Sequence, residues 1–395
     1  MNPLWLSHFT ATSSIGRGLD QTLASLLQHR TGLAPCAFDT VDLKTFIGEV
    51  AEVDAAVLPA HLPSHDCRNN RLALLGLMQD GFDIAVRTAI KKYGRQRIGV
   101  FLGTSTSGIL QTELAYRKRD PETGALPSDF IYRTTHNTYS VADFVRSYFG
   151  LTGPAVVASS ACSSSAKVFS SARRMLEARL IDAALVGGVD SLCLTTLYGF
   201  NSLGLLSEQP CRPYDTERNG LSIGEAAAFA LLEKAPQGCD GIMLLGIGES
   251  SDAYHMSSPH PEGRGAKIAM QDALKMADLA PSDIDYINLH GTATQNNDAA
   301  EGLAVQAIFG QATPCSSTKG ATGHTLGAAG GIEAVICALA LQHDFMPAGL
   351  NTQQIDPSLK LNYLLKNREQ KIKRVLSNSF GFGGTNCSLI FGRAA

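Results

Sequence analysis

The chain has 395 residues, of which 44 % are apolar and 17 % charged, with a formal net charge of −3. That length makes about two to three domain-sized units, and a charged share below the usual ~25 % suits a large, well-buried α/β body and excludes a disordered chain. No basic run is present, so neither nucleic acid nor an anionic membrane has an electrostatic footprint as partner.

The opening MNPLWLSHFTATSS lacks a basic region and has too short an apolar run for a signal peptide. Nowhere does an uninterrupted apolar run approach the ~18 residues of a membrane span. The nine cysteines are odd in number, scattered and free of C-x-x-C spacing. A disulfide framework or a zinc site is therefore not expected, and a reducing cytoplasm fits best. Along the chain, strands are predicted at Ile98–Leu102, Ala155–Ser159, Ala183–Val186, Ala226–Leu232, Met243–Ile247, Tyr286–Leu289 and Ser388–Phe391. Helices are predicted between them, among others at Lys167–Arg179, Lys267–Ala277 and Ala299–Ile308. The alternation reads as α/β with a mostly parallel sheet. A break at Ala235–Asp240 reads as a junction between two packed halves, 1–238 and 239–395. The segment Gly327–Leu341 is nearly all small or apolar, with Glu333 its one charge. A helix apolar on every side is buried on every side.

Cys162 ends an apolar strand within Ser159-Ser160-Ala161-Cys162-Ser163-Ser164-Ser165 and stands near the start of a helix. The dipole and free N–H groups there favour a thiolate and lower the thiol pKa. The same pattern also suits a cysteine buried on a tight turn. His290 closes a strand and opens His290-Gly291-Thr292-Ala293-Thr294-Gln295-Asn296-Asn297-Asp298, a loop of the kind on which chemistry sits. His324 lies in Ser317-Thr318-Lys319-Gly320-Ala321-Thr322-Gly323-His324-Thr325-Leu326-Gly327, which feeds the apolar helix. Each histidine alone also fits a satisfied core or loop residue. A lysine beside such a helix needs a partner or a task, unless Lys319 is a surface loop residue. The glycine-rich loop suggests a phosphate cradle, but no phosphate-binding fingerprint is present, and the histidine spacing fits no zinc motif. Asn378-Ser379-Phe380-Gly381-Phe382-Gly383-Gly384-Thr385-Asn386 precedes the last strand and reads as a turn with close backbone approach, or simply as a hairpin with two core aromatics.

Taken in order, SSACSSS, HGTATQNND, STKGATGHTLGAAGG and NSFGFGGTN resemble the elongating β-ketoacyl-acyl carrier protein synthases, and Cys211-Arg212-Pro213-Tyr214-Asp215 with Arg218-Asn219-Gly220 matches another stretch of that family. The resemblance runs from about Gly99 to Phe391. It implies a thiolase-type five-layered αβαβα fold made of two pseudo-duplicated halves. By motif it makes Cys162 the acyl-accepting nucleophile, His290 and His324 the groups that bind the malonyl thioester carbonyl, and Lys319 the residue that orders the site. Asp298 and Glu301 are implied as support behind it. Thr292 and Thr294 are expected along the pantetheine arm, with Phe380 also touching substrate. Phe382 is expected as gatekeeper, its N–H sharing an oxyanion hole with that of Cys162, and Ile109 at the border of the acyl tunnel. No metal or redox cofactor is implied, since the substrates arrive on the phosphopantetheine of an acyl carrier protein. Acyl- and malonyl-loaded carrier are the implied partners, docking on a basic patch for which Lys167, Arg173 and Arg174 are candidates. A homodimer, or a heterodimer with a related chain-length-factor subunit, is implied as well.

The SSAC sequence is similar to the branch that handles unsaturated chains, which implies a specialised elongator such as one building a polyene. Two further readings are weighed. A non-catalytic chain-length-factor-like partner would lack the active cysteine. A thiolase-type coenzyme A enzyme would need a second catalytic cysteine, for which Cys387 is the available residue.

Overall fold

The computed structural model describes residues 2–394. The N-terminal half contributes five principal strands to the main sheet, besides shorter ones of two or three residues: β1 (Leu4–Ser13), β2 (Ile98–Gly103), β3 (Ala155–Ala158), β4 (Ala183–Asp190) and β5 (Ala226–Lys234). The C-terminal half builds five more: β6 (Ile242–Ser251), β7 (Tyr286–Asn288), β8 (Pro314–Ser316), β9 (Arg374–Gly381) and β10 (Thr385–Arg393). The first set is ordered β3-β2-β4-β5-β1 and the second β8-β7-β9-β10-β6. Each strand of the second set thus occupies the place of the strand five earlier. Pairing directions repeat too, parallel for the first two pairs and antiparallel for the last two. The sheet is therefore mixed, not mostly parallel as the sequence suggested. A two-residue pairing of Leu4 and Trp5 with Leu244 and Met243 joins the halves edge to edge.

Two helices lie between the sheets. Helices Ser164–Glu177 and Ala329–His343 each pack on strands of both halves and on one another. Helices Arg68–Leu77, Phe82–Tyr93 and Ser140–Phe149 cover the outer face of the first sheet, and Arg264–Ala277 covers that of the second, with Gln295–Phe309 packed on it. This is the αβαβα layering of the thiolase fold. The Leu326–His343 stretch is long and apolar enough to span a membrane, but it is the central helix and is almost wholly buried. Its Gly330 is there for space: a Cβ would lie 2.7 Å from the Cβ of Ala166 on the facing helix.

Several strands are longer than expected. The Gly187-Gly188 pair suggests an end to β4, yet the strand continues to Asp190. Glycine there permits close strand approach, since a Cβ on Gly187 would sit 2.0 Å from the Ala228 carbonyl oxygen. Strands β1, β8 and β9 are not among those predicted, β8 because it is only three residues long and β1 and β9 for a shared reason. Both of the latter carry fully buried polar side chains, Thr10 and Thr12 in one and Ser377, Asn378 and Ser379 in the other, which break the apolar signal.

Candidate active site

The nucleophile turn is fixed from both halves. Ala161, just before Cys162, has φ +51° and turns the chain sharply from β3 toward the Ser164–Glu177 helix. The backbone N–H of Ser160 donates to Ser164 Oγ at 2.9 Å, and Thr385 Oγ1 donates to the Ser160 carbonyl at 3.0 Å. Gly103 makes room for the helix start, because a Cβ there would lie 2.2 Å from the Ser165 nitrogen. Cys162 thus stands two residues before the helix, as expected. It is only 5 % exposed. Burial pushes its thiol up to about 12, although the Lys319 ammonium and the Phe382 N–H, which donates to the sulfur, pull the other way. The expectation of a lowered thiol pKa from the helix start is corrected here: desolvation outweighs the local positive field, and the cysteine rests as a thiol.

His290 follows β7. The carboxylate of Glu301, on helix Gln295–Phe309, accepts the N–H groups of His290 and Gly291, both at 2.8 Å, along with Tyr214 Oη–H and Asn378 Nδ2–H. Asp298 on the same helix accepts the Tyr214 N–H at 2.8 Å and lies 3.7 Å from Arg218 Nε. The two acids stand behind the loop and not in the cavity. Burial raises both, Asp298 to about 6. His324 is held on either side by backbone: its N–H donates to the Ser222 carbonyl at 2.7 Å, and its carbonyl accepts the Gly224 N–H at 2.9 Å.

These loops converge. Nε2 of His324 lies 3.0 Å from Cys162 Sγ, and the His290 and His324 rings meet edge to face at 5.3 Å. The ligating atoms of all three residues fall within 4.8 Å of one another. A cation could bridge such atoms, but the Lys319 ammonium, 3.4 Å from His290 Nδ1, opposes one. Lys319 also forms a buried ion pair with Glu333, so the one charge of the apolar helix and the lysine that needed a partner satisfy each other. Donation from Lys319 to Nδ1 leaves the His290 proton on Nε2. Burial and the Lys319 charge hold both imidazoles well below their ordinary range, so both are neutral at neutral pH.

Cys162 and both histidines line a cavity of about 510 Å³, together with Thr292, Thr294, Phe380 and Phe382. Its outer lining includes the exposed Gln295 and Asn296. Phe382 stacks on Phe200 at 5.6 Å beside it. Phe200 lines the cavity too, although in the sequence it carries no local signal that distinguishes a cavity residue from core, and so do Arg218, Asn219 and Gly220 of the family-like stretch, to which the resemblance attaches no role. Ile109 is not among the lining residues; it packs in a neighbouring apolar cluster with Leu192 and Leu197. Cys387 is fully buried in β10 and does not line the cavity, which removes the second cysteine that a thiolase reading needs. Lys167 and Arg174 share Glu249, and Arg173 pairs with Glu177, so each of these three cations has a carboxylate partner and the three together carry an excess of one positive charge.

Comparison with known proteins agrees. Residues 72–237 match the β-ketoacyl synthase N-terminal domain model and residues 242–353 the C-terminal one. The mitochondrial 3-oxoacyl-[acyl-carrier-protein] synthase of Arabidopsis thaliana is 31 % identical over 95 % of this chain and 90 % of its own. The 3-oxoacyl-[acyl-carrier-protein] synthase 2 of Coxiella burnetii is 32 % identical over 96 % of both. Among solved structures, a ketosynthase (ApeO) in complex with its chain length factor (ApeC) from Xenorhabdus doucetiae matches with TM-score 0.89 and 39 % identity over 100 % of this chain and 98 % of that one. With a thiol and two neutral imidazoles meeting at one cavity and a lysine behind one of the rings, the chain belongs to the β-ketoacyl synthase family, as an acyl-transferring condensing enzyme.

Proposed function

We propose that the protein extends an acyl chain by decarboxylative Claisen condensation of an acyl group on Cys162 with malonyl-acyl carrier protein, in fatty acid or polyene and polyketide elongation. The observation that carries this reading is the convergence of Cys162 Sγ, His290 and His324 within 4.8 Å in a single cavity. The carrier's pantetheine arm enters past Thr292 and Thr294. Cys162 Sγ attacks the acyl thioester; its proton leaves by way of an imidazole and ends on the departing carrier thiol. His324 Nε2, 3.0 Å from the sulfur, is near enough to take it, and His290 lies within 4.8 Å. The oxyanion of this step accepts hydrogen bonds from the N–H groups of Cys162 and Phe382. Malonyl carrier then binds with its thioester carbonyl facing the two imidazole N–H groups. Loss of CO₂ leaves an enolate whose oxygen these donors stabilise, and being neutral and fixed they need no reorganisation. The enolate carbon attacks the Cys162 thioester carbonyl, the carbon–sulfur bond breaks, and a 3-oxoacyl carrier two carbons longer departs while the Cys162 thiolate takes up a proton from solvent, the one proton the condensation consumes. The chemistry asks for no metal or redox cofactor, because both substrates arrive activated as thioesters.

The partners in this reading are acyl- and malonyl-loaded carrier protein and a second ketosynthase-like subunit, either another copy or a chain-length-factor relative. The complex named for the Xenorhabdus doucetiae structure supports the latter, and the free outer edge of β3, where Val156 is 40 % exposed, suits either. A polyene product and a cytoplasmic location belong to the same proposal. The test separates the half-reactions. His290→Ala and His324→Ala should each slow malonyl decarboxylation by about 10²-fold or more, while acyl carrier still labels Cys162 as read by mass spectrometry. Cys162→Ala should abolish extension and retain decarboxylation. Decarboxylation unchanged in both histidine variants refutes the assignment.

A further inference from the structure

Asp190 ends β4, is fully buried, and takes no part in the chemistry above. Its carboxylate accepts the hydroxyls of Thr104 at 2.6 Å, Thr106 at 2.9 Å and Ser105, and the N–H groups of Ser105 at 2.8 Å and Thr106 at 2.9 Å. It also accepts the N–H of Gly327, at 2.5 Å, from the other half of the molecule. The partners that stabilise its charge are hydroxyl and amide donors, where a buried carboxylate more often takes a cation.

The place where these donors come from is informative. Thr104–Thr106 follow β2, while Gly327 is three residues past His324. Between them Leu326 sits at φ +52°, a left-handed conformation that costs a residue with a branched side chain about 1–3 kcal/mol and persists only where its surroundings impose it. Gly327 is pressed so closely into the Thr104–Thr106 loop that a Cβ would lie 2.7 Å from the Ser105 nitrogen. His290 has Lys319 at its Nδ1, but among the described residues no group hydrogen-bonds Nδ1 of His324. The aim of the His324 ring therefore depends on the backbone turn that carries it.

We infer that Asp190 is a positioning residue for His324: its carboxylate clamps the left-handed Leu326–Gly327 turn onto the Thr104–Thr106 loop and so sets the imidazole against the Cys162 sulfur. This rests on the reading that His324 serves decarboxylation. A ring misplaced by about 1 Å forfeits up to about 10²-fold in rate, whereas acyl transfer to Cys162 still has His290.

The experiment is Asp190→Asn in the full chain, with thermal melting, malonyl carrier decarboxylation kinetics and mass spectrometry of Cys162 acylation. The expected result is a folded enzyme whose decarboxylation kcat falls about tenfold or more, with KM for malonyl carrier and the acylation rate each within about threefold of wild type. Ser105→Ala, which removes one hydroxyl from the clamp, should show a smaller loss confined to the same step. It also decides the matter if Asp190→Asn does not fold. A folded variant with both half-reactions lowered equally, or with neither lowered, overturns the inference. His324→Ala run alongside separates the failures. If it decarboxylates normally, the functional reading is wrong; if it does not and Asp190→Asn does, only the positioning role is wrong.

Discussion

At the scale of single residues, burial decides protonation in this site. The chemistry depends on imidazoles that are neutral and on a lysine that is not among the residues lining the cavity. Because burial and Lys319 hold His290 and His324 well below their ordinary value, the folded state resists binding protons that the unfolded chain takes up at about pH 6.5. Between the folded and unfolded pKa values the unfolded state carries more protons, so stability falls as pH falls. Glu333, raised to about 7, and Asp298, raised to about 6, act with the opposite sign. The contribution of one ring is therefore read as a difference. Below pH 6.5, wild type should lose up to about 1.4 kcal/mol per pH unit relative to His324→Ala. Denaturant melts from pH 7 to pH 5 measure it, and parallel curves for the two proteins would contradict it. The cysteine, both histidines and the lysine could be picked out as candidates because each stands in a loop of small residues with a strand or an apolar helix beside it, and the family resemblance of those loops gave them their roles. Protonation was not legible, since desolvation depends on every neighbour in space, and the dipole argument for Cys162 saw only the neighbours in sequence.

At the scale of elements, glycine and small residues set how closely the layers approach. In the central helix Gly330 faces Ala166, and an added methyl would also lie 2.9 Å from Ser379 Oγ. Helix propensity alone favours Gly→Ala by about 1 kcal/mol, but overpacking at this contact costs about 1–3 kcal/mol. Gly330→Ala should therefore destabilise the protein. Gly199, inside helix Leu194–Ser202 with nothing within 4 Å of an added methyl, is the control: Gly199→Ala should stabilise by up to about 1 kcal/mol. Urea unfolding of the two variants checks the signs, and equal signs would mean that the layers do not touch as described. The central helix was readable because a run from Gly327 to Leu341 with one charge leaves no polar face. Strand β9 was not, because its Asn378 is satisfied by Glu301, by the Met270 sulfur and by Ser388 Oγ–H, residues that folding brings alongside.

At the scale of the whole molecule, two five-strand units with the same order 3-2-4-5-1 close around two helices, and the site lies where their loops meet. Each half supplies what the other lacks: the thiol comes from the first, the imidazoles and lysine from the second. The free edge of β3 is the place where the molecule can grow by strand addition. Replacing Ala155, whose N–H faces the open side because the Val100 N–H donates to the Pro154 carbonyl, by Pro, which removes that N–H and stiffens the edge, should leave the monomer folded and reduce self-association or pairing with a chain-length-factor-like subunit. Sedimentation velocity of the two proteins decides this; an unchanged assembly would place the interface elsewhere.

What residue type and local spacing determined was a set of candidate groups on their loops and the one helix that had to be central, and the resemblance of the ordered motifs to a known family singled out the reactive ones among those candidates. Tertiary structure alone decided that a sulfur and an imidazole 162 positions apart lie 3.0 Å from each other, that Lys319 finds Glu333, and that Ile109 stands outside the cavity. The physical reason is that distances, dielectric surroundings and ion pairing are properties of packed neighbours, and those neighbours come from both halves of the chain.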